Sequence, residues 1–209
     1  MKEKIFNLSN LSVKVSKLKN QGKKIVHCHG VFDVLHLGHI QHFASAKKRG
    51  DVLVVTITPD DFVNKGPNRP VFPLKIRMQC IAALGNVDFV AANNTADAIS
   101  AIKILKPDIY CKGKDYKNKK SDITGKIVSE EKTVKKLGGE IYYTQDELLS
   151  SSKIINNTGF NLTTDQKKYL DKIRLNKKLN NKKKLNDNIN SFSKLNVLVI
   201  GETILDEYV

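Results

Sequence analysis

The chain has 209 residues, of which 40% are hydrophobic and 27% charged, and 36 Lys and Arg against 21 Asp and Glu give a formal net charge of +15. No apolar stretch approaches the ~18 residues needed to span a bilayer, and the N-terminus has no apolar region typical of a signal peptide. We therefore expect a cytoplasmic protein with one sizeable core over roughly the first 160 residues. Cys28, Cys80 and Cys111 form no C-x-x-C pair, which indicates reduced thiols rather than a disulfide framework.

Hydrophobic periodicity predicts alternating helices and strands. The first helix shows one apolar face, at Leu11, Val15 and Leu18, and ends near Gly22. The uninterrupted apolar run 52–57 is typical of a central strand covered on both faces. The other predicted elements are a strand at Ile25, a helix through Ala46, a loop over 59–73, helices over 74–84, 96–105 and 125–137, and strands over 87–91, 108–111 and 141–143. This β-α-β repetition predicts a parallel α/β sheet whose loops beyond the strand ends bind ligands.

The segment from His29 to His39, HGVFDVLHLGH, carries the strongest chemical signal. Gly30 permits a turn after a strand, and Gly38 allows close approach of a ligand at the start of a helix. The N-terminus of a helix attracts anions, and His36 and His39 add donors that follow developing charge. Histidines also serve as packing residues, but four of the five fall within fourteen positions, which favours a phosphate site. A protein-bound metal is disfavoured, since no Cys pair or carboxylate lies at ligand spacing.

These residues resemble a known family. His36-Leu37-Gly38-His39, preceded by Gly30-Val31-Phe32-Asp33, is similar to the signature of cytidylyltransferase-like nucleotidylyltransferases. The resemblance implies a Rossmann-like, doubly wound parallel sheet with flanking helices. It also implies transfer of a nucleoside monophosphate from a nucleoside triphosphate to a sugar phosphate, with release of pyrophosphate. A second family signature, a serine-rich turn that opens a late helix, is matched by Ser150-Ser151-Ser152-Lys153.

The resemblance also implies roles for individual side chains. His36 and His39 stabilise the α-phosphate, Lys65 and Arg77 neutralise the phosphates together with Mg²⁺, and Asp33 orients the histidine turn or the acceptor. For the loop that holds Lys65 and Arg69, a solvated surface loop is the open alternative. The predicted nucleotide contacts are Gly30, Val31, Phe32, Asp33, Gly38, Lys112, Gly113, Ser151, Ser152 and Lys153, and the predicted substrate contacts are Asp115 and Tyr116.

Within the family, residues 21–156 are most similar to the adenylyltransferase domain of bacterial ADP-heptose synthesis enzymes. The likeness includes Arg69-Pro70 and Lys112-Gly113 with Asp115-Tyr116. Glycerol-phosphate cytidylyltransferases carry an Arg-Thr-x-Gly lead into the serine turn, and residues 145–149 here contain no Arg. ATP is therefore favoured over CTP, with a CTP enzyme for a polyol phosphate as the alternative. A non-catalytic nucleotide-binding or nucleic-acid-binding module is an alternative of another class.

The remainder of the chain differs in character. Residues 161–194 are rich in Lys and Asn and are interpreted as a partly helical basic linker, although such a stretch could also bind nucleic acid or an anionic membrane surface. Without interleaved aromatic residues, nucleic acid is the less favoured partner. Residues 195–209 resemble the first strand of a ribokinase-like sugar kinase, with Asp206 at a sugar-binding position, or form a lone strand that completes the first domain. The resemblances together imply a covalently linked kinase domain and a homodimer.

Overall fold

The structure, a computed structural model, describes residues 2–66, 68–117, 126–145, 151–158, 162–176 and 182–195. The chain divides into two units, 1–161 and 162–209. In the first unit the strands are β1 (Ile5–Phe6), β2 (Ile25–Gly30), β3 (Val52–Ile57), β4 (Phe89–Ala92), β5 (Ile109–Gly113) and β6 (Glu140–Thr144). The helices are α1 (Leu8–Asn20), α2 (Leu37–Lys47), α3 (Leu74–Ala82), α4 (Ile99–Leu105), α5 (Ile127–Lys136) and α6 (Ser151–Thr158).

The six strands form one parallel sheet in the order β1-β4-β3-β2-β5-β6. Every residue of β3, including Thr56, is buried, as expected for a central strand covered on both faces. One sheet face packs on α2 and α3 through Phe43 and Ile81, and the other packs on α1 and α4 through Leu11 and Leu105. The predicted α/β doubly wound fold is therefore confirmed.

Strand order reverses beside β2, which pairs with β3 on one side and with β5 on the other. In open parallel sheets, the crevice outside the carboxyl ends of the strands at such a switch point is the ligand-binding position. The turn after β2 and the segment after β5 both leave the sheet at this edge. The topology thus places the histidine segment at the expected ligand crevice.

Several element bounds differ from the sequence prediction. The edge strand β1 was not predicted, because two residues are too few to show an alternating pattern. Helix α4 begins at Ile99 instead of 96, since the Asn93 amide donates to the carbonyl oxygens of Thr95 and Asp97 and holds the preceding residues in a turn. Strand β4 begins at Phe89 instead of 87. The preceding residue, Asp88, accepts a hydrogen bond from the Leu53 backbone amide with its side-chain carboxylate at 2.7 Å. The predicted start of α5 at Gly125 lies outside the described residues.

The second unit contains α7 (Thr164–Leu175) and α8 (Lys182–Ser191). Thr163 caps α7 in a reciprocal arrangement with Gln166, which satisfies two amide groups at the helix start. Tyr169 and Leu185 are exposed on these helices, as are the Lys side chains around them. Residues 196–209, which carry the resemblance to a sugar kinase, lie outside the described part of the chain. Where the structure describes the chain, its helices are too short or too polar to cross a bilayer.

Candidate active site

The turn after β2 has a strained backbone. Phe32 and Val34 adopt φ values of 50° and 47°, in the left-handed region that side chains with a Cβ rarely occupy. Between them the buried carboxylate of Asp33 accepts hydrogen bonds from the amides of Val34 (3.1 Å), Val71 (2.8 Å) and Phe72 (3.0 Å). Asp33 therefore fixes the turn against the segment before α3.

Arg77 holds the same turn from the other side. Its guanidinium donates to the carbonyl oxygens of Val31 (2.6 Å), Thr58 (2.9 Å) and Phe72 (2.9 Å), and to the Asp60 carboxylate (2.5 Å). The side chain is fully buried. The prediction that Arg77 neutralises nucleotide phosphates is therefore corrected, because the loops after β2 and β3 already occupy its donors. Arg77 is a positioning residue beneath the site.

Replacement of Asp33 by Asn should lower kcat/KM by about tenfold and the free energy of unfolding by about 1–3 kcal/mol. The amide keeps one acceptor oxygen but turns an N–H group towards backbone N–H donors, so one of them loses its buried acceptor. Steady-state kinetics and urea unfolding measure the two effects. The same change at exposed Asp61 is the matched control, and equal behaviour of the two variants would contradict the role of Asp33.

His36 and His39 form a stacked pair where α2 begins. Their ring centroids are 3.8 Å apart with an interplanar angle of 19°. Both ring nitrogens of His36 and Nδ1 of His39 are buried without a hydrogen-bond partner among the described residues. Burial lowers the pKa of both rings, and for His39 burial together with His36, His42 and Lys65 lowers the pKa to about 3. The pair therefore presents neutral imidazoles with unused nitrogens.

The N-terminus of α2 is suited to an anion. His36 is the N-cap residue, but no side chain caps the helix and its first turn contains no acidic residue. Gly38 lies in this first turn, between the two stacked histidines in sequence. The N–H groups of the first turn of a helix and the positive end of the helix dipole both favour negative charge. Histidine nitrogens and helix amides thus lie together at the start of α2, where a helix can hold a phosphoryl group.

The loop before α3 brings positive charge to this pair. Lys65 is exposed, and its charge is one of the causes that depress the pKa of His39. Gly66 has a φ of 100°, which turns the chain next to this lysine. Arg69 is half-buried, and Pro67 lies outside the described residues. Whether Lys65 binds phosphate or belongs to a solvated loop stays a prediction.

Lys112 differs from its predicted role. Its ammonium lies 3.0 Å from the Glu130 carboxylate on α5 and against the rings of Tyr110 and Tyr116. The side chain is almost completely buried, so the predicted direct contact with nucleotide is replaced by an ion pair that ties β5 to α5. Gly113 ends β5 at the carboxyl edge, and Asp115 lies in the short helical turn that follows.

The serine signature opens a helix as predicted. Ser151 and Ser152 are half-buried at the start of α6, which follows β6 in the chain. The end of β6 is linked to α2 by a 3.0 Å hydrogen bond between His42 Nδ1 and the buried Thr144 hydroxyl. Residues 146–150, including Ser150, and the side chain of Lys153 lie outside the described residues. The assignment of this turn to the β- and γ-phosphates stays a prediction.

Sequence reasoning missed a buried polar row on the sheet face that α4 and α5 cover. Thr56 Oγ1 lies 2.7 Å from His27 Nε2 and 2.9 Å from His29 Nδ1, and His29 Nε2 lies 3.2 Å from Thr58 Oγ1. Burial, followed by the charge of Lys112, lowers the pKa of both histidines, to about 3 for His27. The available signal was alternation, since polar residues stand two apart in two otherwise apolar strands.

These buried neutral histidines predict loss of stability in acid. In the unfolded chain a histidine takes up a proton near its ordinary pKa of 6.5, whereas His27 in the folded chain does so only near 3. Stability is therefore fully present above about pH 6.5 and falls as the pH falls. Between about pH 7.5 and 5, His27 alone should cost about 2 kcal/mol. Urea unfolding at the two pH values measures this loss, and the variant His27→Gln should show a flatter pH dependence. A wild-type protein with the same free energy of unfolding at both pH values would contradict this prediction.

Among the described residues, no three His, Cys, Asp or Glu side chains are grouped so that they could hold a metal ion. The carboxylates nearest the turn are engaged, Asp33 by backbone amides and Asp60 by Arg77 and the Leu74 amide. These residues fit a divalent cation that arrives on nucleotide phosphates better than one caged by protein side chains.

The family model described as Cytidylyltransferase-like matches residues 27–157. "Bifunctional protein HldE" of Desulfatibacillum aliphaticivorans is 38% identical over 155 residues, covering 73% of this chain and 30% of that protein. The protein of the same name from Campylobacter fetus is 44% identical over 119 residues, covering 56% of this chain and 25% of the relative. The chain thus spans about a quarter to a third of the length of these relatives.

Solved structures show the same fold. A lipopolysaccharide core biosynthesis protein from Thermoplasma volcanium superposes with a TM-score of 0.51 at 29% identity, covering 61% of this chain and all of that one. Pantoate-beta-alanine ligase from Francisella tularensis, complexed with beta-gamma ATP and beta-alanine, gives a TM-score of 0.51 at 22% identity over 90% of this chain and 85% of its own. The second likeness concerns the fold alone.

Proposed function

Because the chain belongs to the cytidylyltransferase-like family, we propose that it transfers a nucleoside monophosphate from a nucleoside triphosphate to a sugar phosphate and releases pyrophosphate. ATP is the favoured donor. The observation that carries the proposal is the stacked pair His36 and His39 at the uncapped start of α2. Both ring nitrogens of His36 and Nδ1 of His39 are buried there without a hydrogen-bond partner among the described residues. A buried polar atom without a partner is costly, and a bound phosphoryl group would satisfy it.

The proposed reaction is a single in-line displacement. An oxygen of the acceptor phosphate attacks the α-phosphorus, a new P–O bond forms, and the bond to the β-phosphate oxygen breaks so that pyrophosphate leaves with the electron pair. The acceptor phosphate is already ionised at neutral pH, so no protein base is required. The protein contributes position and electrostatic stabilisation, which are the main sources of catalysis in phosphoryl and nucleotidyl transfer.

The residues at the turn divide this work. His36 and His39 donate to the α-phosphoryl oxygens as negative charge grows on them, and amides at the start of α2 hold the same group. Lys65 lies close enough to lower the pKa of His39 and would neutralise the leaving phosphates. Asp33 and Arg77 keep the strained turn in place without touching substrate. Mg²⁺, carried on the nucleotide, would supply further charge neutralisation.

The family likeness extends the proposal to the larger protein. The relatives are named as bifunctional, and this chain covers only 22–31% of their length. Together with the resemblance of residues 195–209 to a sugar kinase, this supports a second activity on the same polypeptide, namely a kinase that makes the sugar phosphate. The adenylyl branch of the family is favoured because residues 145–149 contain no Arg.

Pyrophosphate release by the purified chain tests the proposal. ATP and CTP are supplied separately with Mg²⁺ against sugar 1-phosphates, including a heptose 1-phosphate, and against polyol phosphates such as glycerol 3-phosphate. Release with ATP and a sugar 1-phosphate is the expected result. Release only with CTP and a polyol phosphate would assign the alternative donor and acceptor. Binding of nucleotide without release on any acceptor would favour a non-catalytic module instead.

A further inference from the structure

Thr58 and Asn93 stand side by side where two neighbouring strands end. Strands β3 and β4 pair in parallel, with Thr56 opposite Ala91 and Ile57 opposite Ala92. The backbone N–H of Asn93 continues this ladder by donating a hydrogen bond to the Ile57 carbonyl at 2.9 Å. Thr58 is therefore the next neighbour of Asn93. Alternation puts both on the face of Thr56 and Ala91, with side chains about 5 Å apart at their bases.

The orientation of the side-chain amide of Asn93 is fixed by its hydrogen-bond partners. Its Nδ2 lies against the Thr95 carbonyl (2.8 Å), the Thr95 hydroxyl (3.3 Å) and the Asp97 carbonyl, so the nitrogen must occupy this side. The oxygen Oδ1 therefore points away from the turn. It is buried, since Asn93 is only 1% exposed, and it has no hydrogen-bond partner among the described residues. A buried acceptor of this kind is one that a ligand can satisfy.

The Thr58 hydroxyl is held equally firmly. Its oxygen lies 3.2 Å from His29 Nε2, and His29 is itself held by Thr56 and, through Thr56, by His27. The Thr58 backbone is fixed too, since its amide donates to the Gly30 carbonyl and its carbonyl accepts from Arg77. A hydroxyl can donate and accept at once, so the contact with His29 leaves it capacity for another partner.

We propose that Thr58 and Asn93 form a binding site for a sugar hydroxyl, which accepts a hydrogen bond from Thr58 and donates one to Asn93 Oδ1. This proposal rests on the proposed function and adds the part of the substrate that the site recognises. The pair lies at the carboxyl ends of strands, and the Thr58 backbone amide donates a hydrogen bond to the carbonyl of Gly30, the last residue of β2 before the turn that leads to His36. Both the ribose of the nucleotide and the sugar of the acceptor carry such a hydroxyl.

The test compares Thr58→Val, which keeps the shape and removes the hydroxyl, with Thr58→Ser, which restores it. Calorimetric titration with ATP, 2′-deoxy-ATP and 3′-deoxy-ATP measures recognition of the ribose, and the KM of the acceptor in the pyrophosphate assay measures recognition of the acceptor sugar. Thr133→Val is the matched control, because the Thr133 hydroxyl only bonds its own helix at Ser129.

If the ribose is bound, Thr58→Val should weaken ATP binding about tenfold and remove the preference for ATP over one deoxy analogue. If the acceptor sugar is bound, its KM should rise about tenfold with kcat little changed. Thr58→Ser should return either value towards wild type. A folded Thr58→Val protein with unchanged ATP affinity and unchanged acceptor KM, beside an active wild type, would overturn the proposal. An inactive wild type would instead count against the proposed function, and the titration arm would still decide whether Thr58 binds the ribose.

Discussion

Replacing His39 by Ala should lower turnover by about a hundredfold or more while nucleotide affinity changes little. Its imidazole acts on charge that develops in the transition state, so its loss is felt in kcat more than in binding. The folded state should tolerate the change, because His39 Nδ1 has no protein partner to lose among the described residues. Pyrophosphate release kinetics and calorimetric nucleotide titration separate the two quantities.

His42, one turn further along α2, provides the matched control. Its Nδ1 is bonded to the Thr144 hydroxyl at 3.0 Å, so we expect His42→Ala to affect stability more than chemistry. His36→Ala should resemble His39→Ala, since the two rings are stacked at the same helix start. Wild-type turnover in the His39→Ala protein would remove the histidine pair from the mechanism.

Replacing Arg77 by Met should lower the free energy of unfolding by about 3–5 kcal/mol. Met fills much of the same volume but leaves the buried carbonyl groups of Val31, Thr58 and Phe72 without their donor. The Asp60 carboxylate is 40% exposed and can turn to water, so most of the loss comes from the carbonyls. Urea unfolding followed by circular dichroism measures the change.

Turnover should fall as well, because the carbonyl of Val31 belongs to the histidine turn. Lys75→Met, an exposed change on the same helix, is the control and should alter stability by less than about 0.5 kcal/mol. Arg77→Lys keeps the charge but cannot reach as many carbonyls at once, so we expect an intermediate loss. An Arg77→Met protein as stable as wild type would show that the loops hold each other without the guanidinium.

The fold and the histidine pair could be predicted from the sequence because their signals are local. Apolar residues predominate in β2 and β3, and the spacing from His36 to His39 is short enough to read directly. The position of the site then followed from strand order, since turns after neighbouring parallel strands meet at one edge.

The roles of Arg77 and Lys112 could not be predicted in the same way. A cation near phosphate-binding residues looks identical in sequence whether it faces a ligand or the protein. The role of each cation depends on its burial and on partners that are distant in sequence. Arg77 donates hydrogen bonds to residues up to 46 positions away, and Lys112 on β5 forms an ion pair with Glu130 on α5. The contacts of Thr58 and Asn93 depend likewise on strand register, which no local pattern states.

The central place of β2 has a consequence for how the protein loses its activity. Hydrogen bonds join β2 to β3 and β5 on both sides, whereas the edge strand β1 contributes only two residues. Amide protons of β2 should therefore be among the slowest to exchange with solvent, and those of β1 among the fastest. Fraying of the outer strands leaves the histidine turn attached to the part of the sheet that opens last. Activity should accordingly persist through partial opening and disappear together with the global fold.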